Sequence, residues 1–161
     1  MRIERFIRFQ LYSKGGFKIN TGIALTVNNF GDNSQDFYIA EDGTIGADSN
    51  NHFTPNLSTM INFYPYTGKN FNIGGTFGLS IPISGENNAK GVNFLLGPSM
   101  HFGSKSRLSV SGGVAYGPVK KLTNGLEVGD TTTFGSVDNF TKNVYDFGYF
   151  FGISFSLFDI N

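Results

Sequence analysis

The stretch FNIGGTFGLSIPIS, residues 71–84, alternates between two kinds of residue without a slip. Phe71, Ile73, Phe77, Leu79, Ile81 and Ile83 fall on odd positions, and Asn72, Gly74, Thr76, Gly78, Ser80, Pro82 and Ser84 on even ones. Successive side chains of a strand point to opposite faces, so period two predicts a strand with one apolar face. The second face is the stronger constraint, because it is neither apolar nor charged. A sheet surface facing water normally carries Lys, Glu and Thr. A strand buried on both faces shows a near-continuous apolar run. Residues 71–84 do neither.

The pattern recurs along the chain. Over 17–27, Phe17, Ile19, Ile23, Leu25 and Val27 oppose Lys18, Asn20, Gly22, Ala24 and Thr26. Over 57–66, Leu57, Ile61 and Phe63 oppose Ser58, Met60, Asn62 and Tyr64. Over 92–102, Val92, Phe94, Leu96, Met100 and Phe102 oppose Asn93, Leu95, Gly97, Ser99 and His101. Leu108, Val110, Val114 and Tyr116 oppose Ser109, Ser111, Gly113, Ala115 and Gly117 over 108–118. Over 147–157, Phe147, Tyr149, Phe151, Ile153, Phe155 and Leu157 oppose Gly148, Phe150, Gly152, Ser154 and Ser156. No segment shows a helical period, and no apolar run approaches the ~20 residues of a spanning helix.

Connections alternate short and long. YTGKN (66–70) and GSKSR (103–107) are tight turns, whereas 28–56, 84–91 and 119–146 are longer. That rhythm predicts an antiparallel up-and-down sheet with one short-turn end and one long-loop end. Within the first long connection, DFYIAEDGTIGAD (36–48) carries a DG turn signal and predicts a small hairpin. Residues 1–16 form a separate N-terminal segment, a strand, tail or plug, ahead of a barrel domain over 17–161. The opening MRIERFIRFQ has no apolar core region and no small-residue cleavage site, so it is not a signal peptide.

Charged residues make up 15% of the chain, against roughly 25% in ordinary globular proteins. Lys plus Arg balance Asp plus Glu at 12 each, which gives no footprint for nucleic acid or anionic lipid. The absence of cysteine excludes a disulfide scaffold, a thiol nucleophile and thiolate metal sites. An apolar band facing lipid, with small uncharged residues packed into a narrow interior, reconciles the two faces. In a closed ladder every backbone polar group is paired, as lipid requires. Ten-residue strands match the 9–11 residues of a tilted membrane strand. Phe63, Tyr64, Tyr66, Phe71, Phe102, Phe155 and Phe158 gather at the short-turn end, where an interfacial girdle would lie.

The closing YDFGYFFGISFSLF (145–158) resembles the C-terminal strand of Gram-negative outer-membrane β-barrels. With NFYPYTGKNFNIGGTFGLSIPI and the Asn- and Gly-rich loops, residues 17–158 resemble small outer-membrane proteins of Bacteroidetes-type bacteria. The resemblance implies an all-β, antiparallel, up-and-down transmembrane barrel of about eight strands in the bacterial outer membrane. It implies Phe71, Ile73, Phe77, Leu79, Ile81, Phe151, Ile153 and Phe155 as lipid-facing residues. It also implies Phe147, Tyr149, Phe151, Ile153, Phe155 and Phe158 as the strand read by the barrel-assembly machinery. Phe158 is out of phase with Phe155 and Leu157, which departs from the family pattern. Six strands fall short of eight, which predicts that the chain is the C-terminal part of a longer one.

The implied partners are the bilayer, the assembly machinery and another outer-membrane or periplasmic protein met by the long loops. No nucleic acid, cofactor, metal or catalytic residue is expected. His52 and His101 have no His, Cys or carboxylate at metal-ligand spacing. DNSQD (32–36) imitates a calcium loop but has Phe37 and Gly43 where an EF-hand needs Gly and Glu. GTFG and SGENNAKG lack the lysine and the strand-to-helix context of a phosphate loop. DTT (130–132) resembles the O-glycosylation site of Bacteroidetes secreted proteins. Three rival readings remain: a narrow channel or transporter, an outer-membrane hydrolase using rim residues such as Asp48, Ser49 and His52, and a soluble lipocalin-like binder with the Phe/Ile/Leu face turned inward.

Overall fold

The computed structural model describes residues 16–49, 53–65, 67, 69–83, 91–103 and 107–160. Among them the chain is all-β and antiparallel, with strands β1 (Phe17–Asn29), β2 (Gln35–Ile39), β3 (Ile45–Ser49), β4 (Thr54–Pro65), β5 (Phe71–Pro82), β6 (Asn93–Phe102), β7 (Leu108–Leu122) and β8 (Thr141–Ile160). The six long strands pair in the order β1-β4-β5-β6-β7-β8, and β8 pairs back onto β1, so the ladder closes. β2 and β3 form a separate hairpin in the connection from β1 to β4. The N-terminal segment, apart from Gly16, and His52 lie outside the described residues.

Closure with six strands corrects the expectation of about eight. Phe17 to Asn28 pair with β4 along one side of β1, and Ile19 to Asn29 pair with β8 along the other. Among the described residues each of the six strands is paired on both sides. Two close approaches allow so narrow a ring. At Gly97 an added Cβ would lie 2.1 Å from the Gly112 carbonyl oxygen, and at Gly113 one would lie 2.3 Å from that of Leu96. The β6 and β7 backbones can come this near only because neither residue carries a side chain.

The irregularity at the C-terminus has a structural origin. Ile23 pairs with Phe155 and Gly22 with Ser156, but Thr21 pairs with Phe158. Leu157 is therefore an extra residue, a β-bulge, and it absorbs the phase slip between Leu157 and Phe158. The long connection predicted over 119–146 is also corrected. β7 and β8 continue their pairing from Pro118↔Tyr145 to Leu122↔Thr141, a tall hairpin beyond the rest of the ring. Lys121 and Asp146 form an ion pair on it at 2.9 Å.

Candidate functional site: an apolar outer wall around a filled polar interior

The alternation sorts side chains to the two sides of the ring in the reverse of the usual sense. Along β5, Phe71, Ile73, Phe77, Leu79 and Ile81 point outward and are exposed, while Asn72, Thr76 and Ser80 are buried. On β8, Phe147, Tyr149, Phe151, Ile153 and Phe155 are exposed, Phe147 by 65%, while Phe150 and Ser154 are buried. Leu25, Leu57, Leu96 and Val114 continue the outer rows on the remaining strands. Among the described residues the outward rows Phe17–Val27, Pro55–Pro65, Phe71–Ile81, Phe94–Phe102 and Phe147–Leu157 carry no charged residue. A contiguous apolar surface of this extent greatly exceeds the few hundred Å² usual on soluble monomers. The lipocalin-like arrangement, with the Phe/Ile/Leu rows inside, is not the one adopted.

The interior is polar but dry of charge, and its groups bond across the lumen. Near the long-loop end, the side-chain amides of Asn28 and Asn93 both donate to Ser80 Oγ, each at 3.2 Å. Asn93 also donates to Asn56 Oδ1, and Thr26 Oγ1 bonds Ser58 Oγ at 2.7 Å. Near the short-turn end, the Asn62 amide donates to Asn20 Oδ1 at 3.0 Å and the Asn20 amide to the Tyr64 hydroxyl at 3.3 Å. Between these networks lies an apolar septum of Ala24, Met60, Leu95, Ala115 and Phe150, all buried. An eight-stranded barrel already has room only for side chains, and six strands enclose less.

An aromatic ring packs toward each end of the interior. Phe30 packs against the septum cluster from the long-loop side, in space left by Gly148, where a Cβ would meet its ring at 2.7 Å. At the other mouth, Tyr64 stacks on His101 with centroids 4.1 Å apart. Tyr64 is therefore an interior residue, 1% exposed, rather than part of the aromatic girdle in which the sequence placed it. Phe71–Phe102 and Phe17–Phe63 do pair on the outer surface there.

His101 Nε2 lies 2.9 Å from Ser99 Oγ, so strand alternation brings together a Ser–His pair that spacing alone did not single out. A hydrolytic triad also needs a group orienting the second ring nitrogen and a path for substrate. His101 Nδ1 has no hydrogen-bond partner among the described residues, and both side chains are buried. Among the described residues no group of three His, Cys, Asp or Glu could hold a metal ion.

The long-loop side is a built cap rather than loose connections. The β2–β3 hairpin docks on the segment after β7: Ile45 N–H donates to Asp130 O and Gly129 N–H to Ile45 O, both at 2.8 Å, and Thr132 N–H to Gly43 O at 2.9 Å. Ile45 and Phe140 are buried beneath it. Thr131 of the DTT motif bridges Thr44 and is exposed. A narrow polar pocket lined by Asn28, Gln35, Asp36, Asn56 and Lys120 opens under the cap and has room for about one water. Among the described residues the acids concentrate on one side. Asp32, Asp36, Glu41, Asp42, Asp48, Glu127, Asp130, Asp138 and Asp146 lie on the cap side with Lys120, Lys121 and Lys142, whereas Lys18, Lys69, Arg107 and Asp159 lie at the short-turn end. Composition could not report this, because a sum is blind to where each charge falls.

Asp48 belongs to β3 on the cap, and its rim partner His52 lies outside the described residues. No protein-family model matches the chain, and no curated protein or solved structure matches it either.

Proposed function

We propose that this chain is a transmembrane β-barrel of a bacterial outer membrane with a structural or interaction role, its cap turned to the exterior or to a partner protein. One observation carries the reading: a closed ladder with an uncharged, apolar outside and a polar, hydrogen-bonded inside. In water such a molecule would expose the surface whose burial normally drives folding. In a bilayer the outer rows are solvated by hydrocarbon, and the closed ladder leaves no unpaired backbone group in it. The side chains packed across the lumen, with no group orienting His101 Nδ1 among the described residues, support a role that is neither conductive nor catalytic.

The test is extraction and migration. The chain is expected to leave membranes only with detergent and to run at different apparent mass in heated and unheated gels. A folded monomer in detergent-free buffer would overturn the reading. Stepwise ion conductance in planar bilayers would replace the structural role with the channel alternative.

A further inference from the structure

The outer wall is not uniformly convex. On the cap-side half, Val27 pairs with Phe151 on one flank and with Pro55 on the other. Two residues nearer the short-turn end, Leu25 pairs with Ile153. Small Val27 and flat Pro55 between the larger Phe151 and Ile83 leave a cleft of about 390 Å³ running along β1.

We propose that this cleft seats one acyl chain of a lipid in the leaflet on the cap side; the inference rests on the membrane reading. Its volume falls within the range of small-ligand sites, ~300–1,000 Å³. Its walls are apolar: Leu25, Val27, Pro55, Ile83, Phe151 and Ile153. Its backbone is already spent, because β1 is paired on both sides at this level and Pro55 O accepts Ile83 N–H at 3.0 Å. An extended peptide therefore has no edge to add to. The nine residues that line it are far fewer than the ~20–30 a side of a stable protein interface. An unbranched hydrocarbon chain needs neither hydrogen bonds nor a wide footprint. At the cap-side rim, Phe53 meets Tyr149 edge-on at 5.9 Å, an aromatic pair suited to the level where headgroups begin.

The chain contains no tryptophan, so single reporters read one site each. Phe151→Trp places a reporter on the cleft wall, and Phe94→Trp places one on an outward row of β6, away from the cleft. Both proteins, in detergent micelles, are titrated with phosphatidylcholine brominated at mid-chain, and fluorescence quenching is followed. The cleft reporter is expected to reach half-quenching at an about fourfold lower lipid mole fraction, the gain from burying one additional methylene. Filling the cleft with Val27→Phe should remove the difference, and Pro55→Leu fills it from the other flank should the first variant fold poorly. Equal quenching at the two reporters would refute the seat and leave the membrane reading intact. Quenching of neither, in a protein that stays folded without detergent, would refute both.

Discussion

Placing a charge on the outer wall separates a surface solvated by hydrocarbon from one solvated by water, because the two predict different costs. Phe77 is the residue to change. It points outward between Ile61 of β4 and Leu96 of β6. Six residues separate it from Phe71 at the short-turn edge and six from Ile83 at the cap edge. At about 3.3 Å per residue this is about 20 Å along the strand. A tilt of about 40° reduces it to about 15 Å along the normal, half of a ~30 Å hydrocarbon core. Arg at that depth should cost about 2–4 kcal/mol relative to Ala, and at Ile81, near the edge, about 0–1 kcal/mol. The assay is urea unfolding in lipid vesicles of Phe77→Arg, Phe77→Ala, Ile81→Arg and Ile81→Ala, which cancels the loss of the original side chain at each site. Surface substitutions in water usually stay within about 0.5 kcal/mol. Arg–Ala differences of that size at both depths would refute the argument, as would a Phe77→Arg protein that folds without detergent.

Further expectations follow from the interior and the cap. Ser80→Ala removes the shared acceptor of the Asn28 and Asn93 amides and should destabilise by about 1–3 kcal/mol in the same unfolding assay, because buried donors are left unpaired. Gly97→Ala, whose Cβ would lie 2.8 Å from Gly113 Cα, should cost about 1–3 kcal/mol, while Gly135→Ala, with open space around it, should leave stability unchanged. On the β2–β3 turn, the Thr44 backbone N–H donates to Asp42 Oδ1 at 3.0 Å, and this bond with the Thr44 hydroxyl holds the Asp42 carboxyl below its usual range. A lowered acid stabilises in its charged form, so the turn should hold fully above the ordinary Asp value of about 3.9 and loosen as pH falls through the lowered one. A smaller protection factor at the Thr44 amide in acid, its exchange rate taken relative to the intrinsic rate at each pH, would register this, and Asp42→Asn should make that factor independent of pH.

Strand identity was legible wherever one face met a uniform medium. From Phe71 to Ile81 every second residue except Gly75 is apolar, and the same row is exposed in the structure. The signal failed where the surroundings changed. Past Pro118 and before Tyr145, Lys120, Lys121, Lys142 and Asn143 leave too few apolar residues for a regular alternation, yet the ladder continues. Hydrogen bonds between strands leave no periodicity when neither face selects for apolar residues. Tyr64 was misplaced for a related reason. Its parity put it with the small interior residues, but aromatic character at a turn pointed to the surface.

Alternation determined the all-β character and which residues share a side, because a strand's side-chain period is fixed by its backbone, and the short turns determined the antiparallel order, because only antiparallel neighbours can be joined by a tight hairpin. Tertiary structure decided how many strands close the ring, since closure depends on registers between distant segments and on approaches such as Gly97 against Gly113. It placed the bulge at Leu157, which brings Phe158 into register with Thr21. It stacked Tyr64 on His101 inside the lumen, and it gathered acidic residues of separate loops onto one cap. Each of these depends on where segments far apart in sequence meet, and local pattern carries no record of that.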